Sequence, residues 1–553
     1  MRNKWMIIAL LGIVGIKGEA QTQYRFKAIG PGTDNQWTNE LNWIEAGTTA
    51  AVIPGTNDIA IISKDGELNT TAILNTLAVA TEGQNNNVTF DINDGDSLKT
   101  SIMRIASYNG TNNTGTVNVN SGGTLHTTSG EFRMGGVVAT ATGNQDYLNV
   151  NSGGTATIEG MMYIGYRDSN EAVITVGGVL NTQGKINMGQ GVGTTGRIDI
   201  LDGGVMNANG TAEFDIGLGD IGFGSGEVNV AGTLNTSASY FDIAVGVAGK
   251  DTSGSLTVTE TGVLSGAGGA IRLATGAGNA CSATMTVMGV VSNSDVIQVG
   301  SSSATSTAAL KISGPKALVQ VSGFNFNETI GGETAMVVSN GAQFVSEGWM
   351  NCAGNSSGEI LIADGGSFSV AKINTLNDTI FTLSGTNATL TVGNINPIGG
   401  VNGGYIDLQD ADGTSSSRIV FTGAEESTIT NLVAAGTITN SLWSGQEDWY
   451  QVAANGNGDL VLSAIQPVTE IKALEMVGES LLKITINSTD QWGQLKLVGT
   501  SDLLKDEWDY VAHSDNGSNA FVVTNLLYST QEDAATCSVY VQATNSAVFF
   551  GIE

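Results

Sequence analysis

Asp146–Gly165 reads DYLNVNSGGTATIEGMMYIG. It holds three short β-type pieces: Leu148-Asn149-Val150, Thr155-Ala156-Thr157-Ile158 and Met162-Tyr163-Ile164, parted by Gly153-Gly154 and Glu159-Gly160. Within each piece apolar and polar residues alternate, so one face can be buried while the other meets solvent. None is long enough to form a core alone. The unit needs further copies of itself to pack against.

Copies run through most of the chain. The first piece recurs as Val117-Asn118-Val119, Ile174-Thr175-Val176, Ile198-Asp199-Ile200, Val228-Asn229-Val230, Leu256-Thr257-Val258, Met285-Thr286-Val287, Leu310-Lys311-Ile312 and Ile360-Leu361-Ile362. Over most of the run the starts lie about 24–31 residues apart, a period that calls for a solenoid and is too short for propeller blades. The second piece follows a Gly turn, as in Gly123-Thr124-Leu125, Gly178-Val179-Leu180, Gly204-Val205-Met206 and Gly232-Thr233-Leu234. The third ends apolar-Gly, as in Met134-Gly135, Ile164-Gly165, Met188-Gly189 and Ile216-Gly217. The predicted fold is all-β: a right-handed parallel β-helix with three-strand coils, followed by a small C-terminal β-sandwich. Val119, Val150, Val176, Ile200, Val230 and Val258 should stack inside, and Asn and Thr should form polar ladders outside. A run of this length and period amounts to about 15 coils.

The composition agrees. Gly is abundant (76), Pro scarce (5), and charged residues make up 13%, against about 25% in ordinary domains. Gly and β-branched residues disfavour helix interiors. The formal net charge of −30 argues against nucleic acid, which needs a basic surface. Residues 1–20 read as a signal peptide: Arg2 and Lys4, an apolar run from Trp5 to Ile16, then Gly18 and Ala20 before a cleavage site at Gln21. No transmembrane segment is expected after that cleavage. Localisation is therefore read as secreted or at the surface of a bacterium. Cys281, Cys352 and Cys537 match no metal spacing and read as core residues or lone thiols.

Residues 21–64 read as an N-terminal cap, 65–464 as the solenoid with a capping coil at its end, and 468–553 as the sandwich. The cap carries Trp37-Thr38, then Asn42-Trp43, then Pro54-Gly55-Thr56-Asn57-Asp58-Ile59-Ala60-Ile61. This pattern resembles the start of exported bacterial β-solenoid proteins of the autotransporter-associated β-strand repeat type. The tail, with Gln494-Leu495-Lys496-Leu497, Ser501-Asp502-Leu503, Trp508 and Phe549-Phe550-Gly551-Ile552-Glu553, is similar to C-terminal sandwich modules of large exported bacterial proteins. The resemblance implies an extracellular product with a sorting or attachment module, and brings no catalytic residues.

Candidate chemistry is sparse. His126 and His513 are the only two histidines, in different predicted domains, which leaves no basis for a Ser-His-Asp, Cys-His or zinc site. Gly189–Gly196, GQGVGTTG, lacks a βαβ setting and reads as a coil corner rather than a nucleotide loop. Asp91–Asp96 is oxygen-rich but out of step with a calcium loop; it and Asp410–Gly413 read as polar turns, and calcium remains the one candidate cofactor. The third piece gives the one constellation. Arg104, Arg133, Tyr163, Asn187, Asp215, Asp242 and Arg272 occupy its outward position and should form a column. Asp215 and Asp242 would stand about 5 Å apart, one rung, where two carboxylates can share a proton, bind calcium or cleave a glycoside. The ligand-binding candidates are Arg133, Tyr163, Asn187, Asp215 and Asp242; no catalytic residue is assigned.

The functional expectation is a structural or adhesive repeat protein presenting an extended surface to an extracellular glycan or cell-surface component. The alternative is a polysaccharide-binding or polysaccharide-degrading β-helix protein, a lyase or glycosidase.

Overall fold

The alternation is realised as drawn. The structure, a computed structural model, describes residues 22–26, 36–45, 53–80, 85–106, 111–128, 130–136, 142–167, 169–210, 213–220, 222–246, 250–266, 268–275, 280–300, 306–326, 332–352, 358–395, 403–409, 416–441, 450–464, 469–476, 481–488, 496–500, 509–515, 519–523, 526–531, 536–542 and 549–552. Beyond residue 485 it describes strands and not their side chains. The expected signal peptide, the Asp410–Gly413 turn, Trp443, Trp449 and Trp508 lie outside the described residues. Strand accounts for 64% of the chain, in a parallel β-solenoid of about 12 turns. The described residues include 15 first strands, as the expected count of about 15 coils requires, and those at the ends are short. There the first strands shrink to Gly66–Leu68 and to Ile438–Thr439.

By internal contacts the chain divides into two compact units, residues 1–238 and 239–553, built on the same coil. In the first unit Asn87–Ile92, Thr114–Val119, Gln145–Val150, Glu171–Val176, Thr194–Ile200 and Gly224–Val230 pair in parallel, each with the next. Val119, Val150, Val176, Ile200 and Val230 stand in one register and are all buried. In the second unit Val258, Val287, Ile312, Val338 and Ile362 form the same ladder. Each buried aliphatic side chain contributes about 1.5–3 kcal/mol, and the repeat collects that gain once per rung.

Between the apolar positions, side chains point outward and bond from coil to coil. Asn149 donates to Asn118 at 2.8 Å, and Asn118 to Asp91 at 2.7 Å. Asn151–Asn120–Asn93 and Asn235–Asn207–Asn181 repeat the arrangement. A third kind of ladder lies inside. Asn113, Asn144 and Asn170 are buried at the corner before the first strand, and the Oδ1 of each accepts the backbone N–H of the residue one coil earlier. Asn fits here because its side chain presents both a donor and an acceptor.

The corner between second and third strands takes two forms. In the first it is cut by Gly160 and Gly184, where any side chain would run into the backbone carbonyl of the preceding coil. In the second unit, from Val290 onward, the two strands fuse into single long strands such as Val290–Val299, Leu318–Phe326 and Gln343–Cys352. These turn the corner through a register shift instead. Phe344 and Phe368 stack inside them, ring centroids 4.7 Å apart.

At the N-terminal end, Gln23–Phe26 runs parallel to Ile59–Ile62 and antiparallel to Trp43–Glu45. Trp37 and Trp43 are buried edge-to-face at 4.5 Å, and Trp43 Nε1 donates to the Trp37 carbonyl. Phe26 meets Trp43 at 5.0 Å, and Trp37 reaches Phe90 of the next turn. Asn42 Nδ2 donates to the Gln36 carbonyl, and Asp58 accepts the Gly55 N–H. The Trp, Asn-Trp and Pro-Gly-x-x-Asp residues thus each make a packing or hydrogen-bond contact at this end.

The other end departs from expectation. Glu426–Ala434 is an α-helix with Ile429 and Leu432 buried, where a continued β pattern was predicted. Leu460–Ala464 then runs antiparallel to both Arg418–Phe421 and Tyr450–Ala454, so a hairpin, not a closing parallel coil, finishes this unit's solenoid. The tail strands form two four-stranded antiparallel sheets. One contains Thr469–Met476, Leu481–Ser488, Thr536–Gln542 and Leu526–Gln531. The other contains Asn519–Val523, Asp509–Asp515, Lys496–Thr500 and Phe549–Ile552.

Candidate functional site

The third strands Phe132–Gly135, Met162–Tyr166, Ile186–Met188 and Phe214–Leu218 are buried almost throughout, and the strand pleat turns the residue between two core side chains, such as Phe132 and Met134, outward. Their pairing aligns Arg104, Arg133, Tyr163, Asn187 and Asp215 in successive rungs. The predicted column is therefore continuous through the first unit. In the second unit Asp242, Arg272, Gln298, Asn325 and Asn351 align in the same way.

Outward does not mean exposed. Arg133 is 8% exposed, Asn187 5%, and Asp215 and Asp242 2% each, so the outward column is a covered face. Long neighbours close over the column. Arg133 bonds Glu131 at 2.7 Å, and its guanidinium lies 5.0 Å from the Tyr163 ring centroid and 4.5 Å from that of Tyr166. The two tyrosine rings are 5.0 Å apart. Burial and the Glu131 charge raise the Tyr163 pKa, with Arg133 opposing. Cation–π contacts of this kind strengthen as water is removed.

Each acidic member of the column has a cation of its own. Lys185 lies 3.0 Å from Asp215 and also bonds Glu213. Burial works against the Lys185 charge, yet the Glu213 hydrogen bond and the Asp215 charge outweigh it and its pKa is raised. In the second unit Asp242 is gripped by Arg272 through Nε and a terminal nitrogen, and Arg272 lies 3.8 Å from the Tyr240 centroid. Such bidentate pairs are the strong form of ion pair. The arrangement can hold rings and hydroxyl groups at Tyr163, Tyr166 and Arg133. Its carboxylates are committed to internal partners.

Sequence reasoning missed the residues that complete this face: Glu131, Tyr166, Lys185 and Glu213. A signal existed, since Glu131, Lys185 and Glu213 each sit two residues before a column member. The remaining candidates resolve as local structure. Gly189 and Gly193 adopt positive φ at the Gly-rich corner, where Thr194 Oγ1 accepts the Gly191 N–H. Asp96 accepts the Asn93 N–H while Asp91 belongs to the amide ladder. Among the described residues no three His, Cys, Asp or Glu gather as a metal set. His126 pairs with Glu159 at 2.8 Å; His513 is described only by its strand. Cys281 and Cys352 are buried thiols, and burial pushes the Cys352 thiol up to about 12. No helix among the described residues is long and apolar enough to cross a membrane.

Compared with known proteins, the chain matches no family model, no curated protein and no solved structure.

Proposed function

We propose that this is an exported structural or adhesive repeat protein, acting outside a bacterial cell through the regular surface of its solenoid. One observation carries the reading: outward polar residues hold one register and are tied to one another in runs of three coils, as in Asn149–Asn118–Asp91. A surface repeating at the rung spacing suits weak multivalent contact with a glycan or cell-surface component. The Arg133–Tyr163–Tyr166 cluster is the place where such a partner would rest. The cap residues support kinship with the autotransporter-associated repeat type, and the two antiparallel sheets of the tail support an attachment module of sandwich form.

The test is retention of the purified full chain on intact bacterial cells and immobilised extracellular glycans. Tyr163→Ala with Tyr166→Ala should weaken retention while leaving thermal unfolding within a few degrees. Retention unchanged in the double variant, or absent from every surface, would refute the reading.

A further inference from the structure

A second surface lies on the first strands of the second unit. It is a groove of about 730 Å³. Its length follows one outward column, in which Ala309, Ala335, Glu359, Ile380 and Tyr405 occupy successive rungs. The two alanines make a low floor; Ile380 and Tyr405 rise at one end. Five rungs at the strand spacing span about 19 Å. The depression exists because side-chain size changes along the column.

The polar wall is built, not incidental. Asp407 is 3% exposed, and its carboxylate accepts the Ser441 backbone N–H at 2.7 Å and the Gln409 Nε2 at 2.8 Å. Gln409 also reaches the Ser441 hydroxyl at 3.2 Å. A buried carboxylate so fixed positions its donors rigidly. Glu333 stands exposed two residues before Ala335 on the same strand, and Glu359 stands exposed within the column itself, between Ala335 and Ile380. No Lys or Arg lines the groove.

From these features we propose that the groove binds a segment of uncharged glycan. Ala309, Ala335, Ile380 and Tyr405 offer an apolar bed for sugar-ring faces. Glu333, Glu359 and Gln409 offer hydrogen-bonding groups to hydroxyls. Acidic or sulfated chains are excluded by like charge with no cation to offset it. A compact cation is disfavoured because Asp407 is already satisfied. Glu333 and Glu359 also sit on different rungs and do not converge: Glu359 pairs with Ala335, two residues beyond Glu333. The proposal shares a glycan ligand with the surface-contact reading; it does not depend on the Tyr163 column.

The experiment uses the purified full chain on an array of uncharged oligosaccharides of α- and β-linked hexoses and pentoses. Polygalacturonate and heparin serve as anionic probes and poly-L-lysine as the cationic one. Ala335→Trp fills the floor from an exposed position, so the fold should be retained. Tyr405→Ala removes the aromatic wall. Binding to at least one uncharged oligosaccharide is expected, insensitive to salt, and about tenfold weaker or worse in either variant. Tyr163→Ala should leave it unchanged, which separates failure of this groove from failure of the column. No binding to any uncharged oligosaccharide, or binding that survives Ala335→Trp, overturns the proposal. So does salt-sensitive poly-L-lysine binding lost in Glu333→Gln and Glu359→Gln, which would assign the groove to a cation.

Discussion

Replacing Asp146 should make the solenoid more stable, and most so at high pH. Asp146 sits in the inward column of its first strand, between Gly115 and Ala172 of the neighbouring coils. It is fully buried, and neither carboxyl oxygen has a hydrogen-bond partner of good geometry. Burial raises its pKa well above the ordinary carboxylate range, with the Gly135 backbone pulling weakly the other way. Asp146→Ala removes an unsatisfied polar group worth about 1–3 kcal/mol. The void left behind takes back part of this, for a net gain of about 1 kcal/mol or more. The buried, in-register Ala172 shows that a methyl group is accommodated in this column.

The pH sign is fixed by the direction of the shift. The folded chain keeps a proton on Asp146 that the unfolded chain releases. Its contribution is therefore complete below the ordinary carboxylate pKa and is lost as pH rises toward the folded value. The slope approaches about 1.4 kcal/mol per pH unit for one group. Asp146→Asn keeps the buried polar group but abolishes the slope, so the two effects separate. Long repeats need not unfold in one step. The readout is accordingly amide hydrogen exchange of Gln145–Val150 between pH 5 and 8, corrected for intrinsic rates. Wild type and Asp146→Asn with the same pH profile, or Asp146→Ala exchanging faster than wild type at pH 7, would refute the reasoning.

Other expectations follow from the same coils. Gly196→Ala should destabilise by several kcal/mol, because a Cβ there would run into the Ile164 carbonyl; a melting temperature within about 2 °C of wild type would contradict this. Asn118→Ala cuts a ladder at its middle and should cost about 1–2 kcal/mol for its two hydrogen bonds, measured by chemical denaturation. Cys352 should resist thiol reagents in the folded chain and react only on denaturation, since its thiol is buried with a pKa of about 12. Purified protein should not depolymerise polysaccharide; activity abolished by Asp215→Asn or Asp242→Asn would reverse the functional reading.

The fold was legible because the core writes itself in a simple code. Val119, Val150 and Val176 hold one place in the repeat, and one ladder results. The polar column was legible as a register but not as an environment. Arg133 and Asp215 alternate with buried residues exactly as solvated ones would, and only the third dimension brings Lys185 and Tyr166 over them. Asp146 escaped notice for the opposite reason. It occupies an inward slot, yet the sequence offers no sign that the Gly135 backbone lies beside it. The helix at Glu426–Ala434 had a faint signal: two acidic residues at its start, Ile429 and Leu432 three apart, and Gly436 after its end. The groove was hidden because its floor is made by what is small.

The two ends of the solenoid carry a consequence for assembly. Every coil strand runs parallel to its neighbours, so a bare terminal coil would be a template on which another copy's coil could add, as in cross-β growth. At one end Trp43–Glu45 lies antiparallel across the first strand; at the other, Leu460–Ala464 lies antiparallel to Arg418–Phe421. A coil strand of another copy, stacked in the coil direction, would meet a strand of reversed direction antiparallel and not as a further parallel rung. Chain direction thereby opposes growth at the first end; at the other, Tyr450–Ala454 lies beyond Leu460–Ala464 and runs in the coil direction again, so the hairpin there closes the coil by covering it. A coil array that lost either closure would keep its core yet become a seed for end-to-end polymerisation.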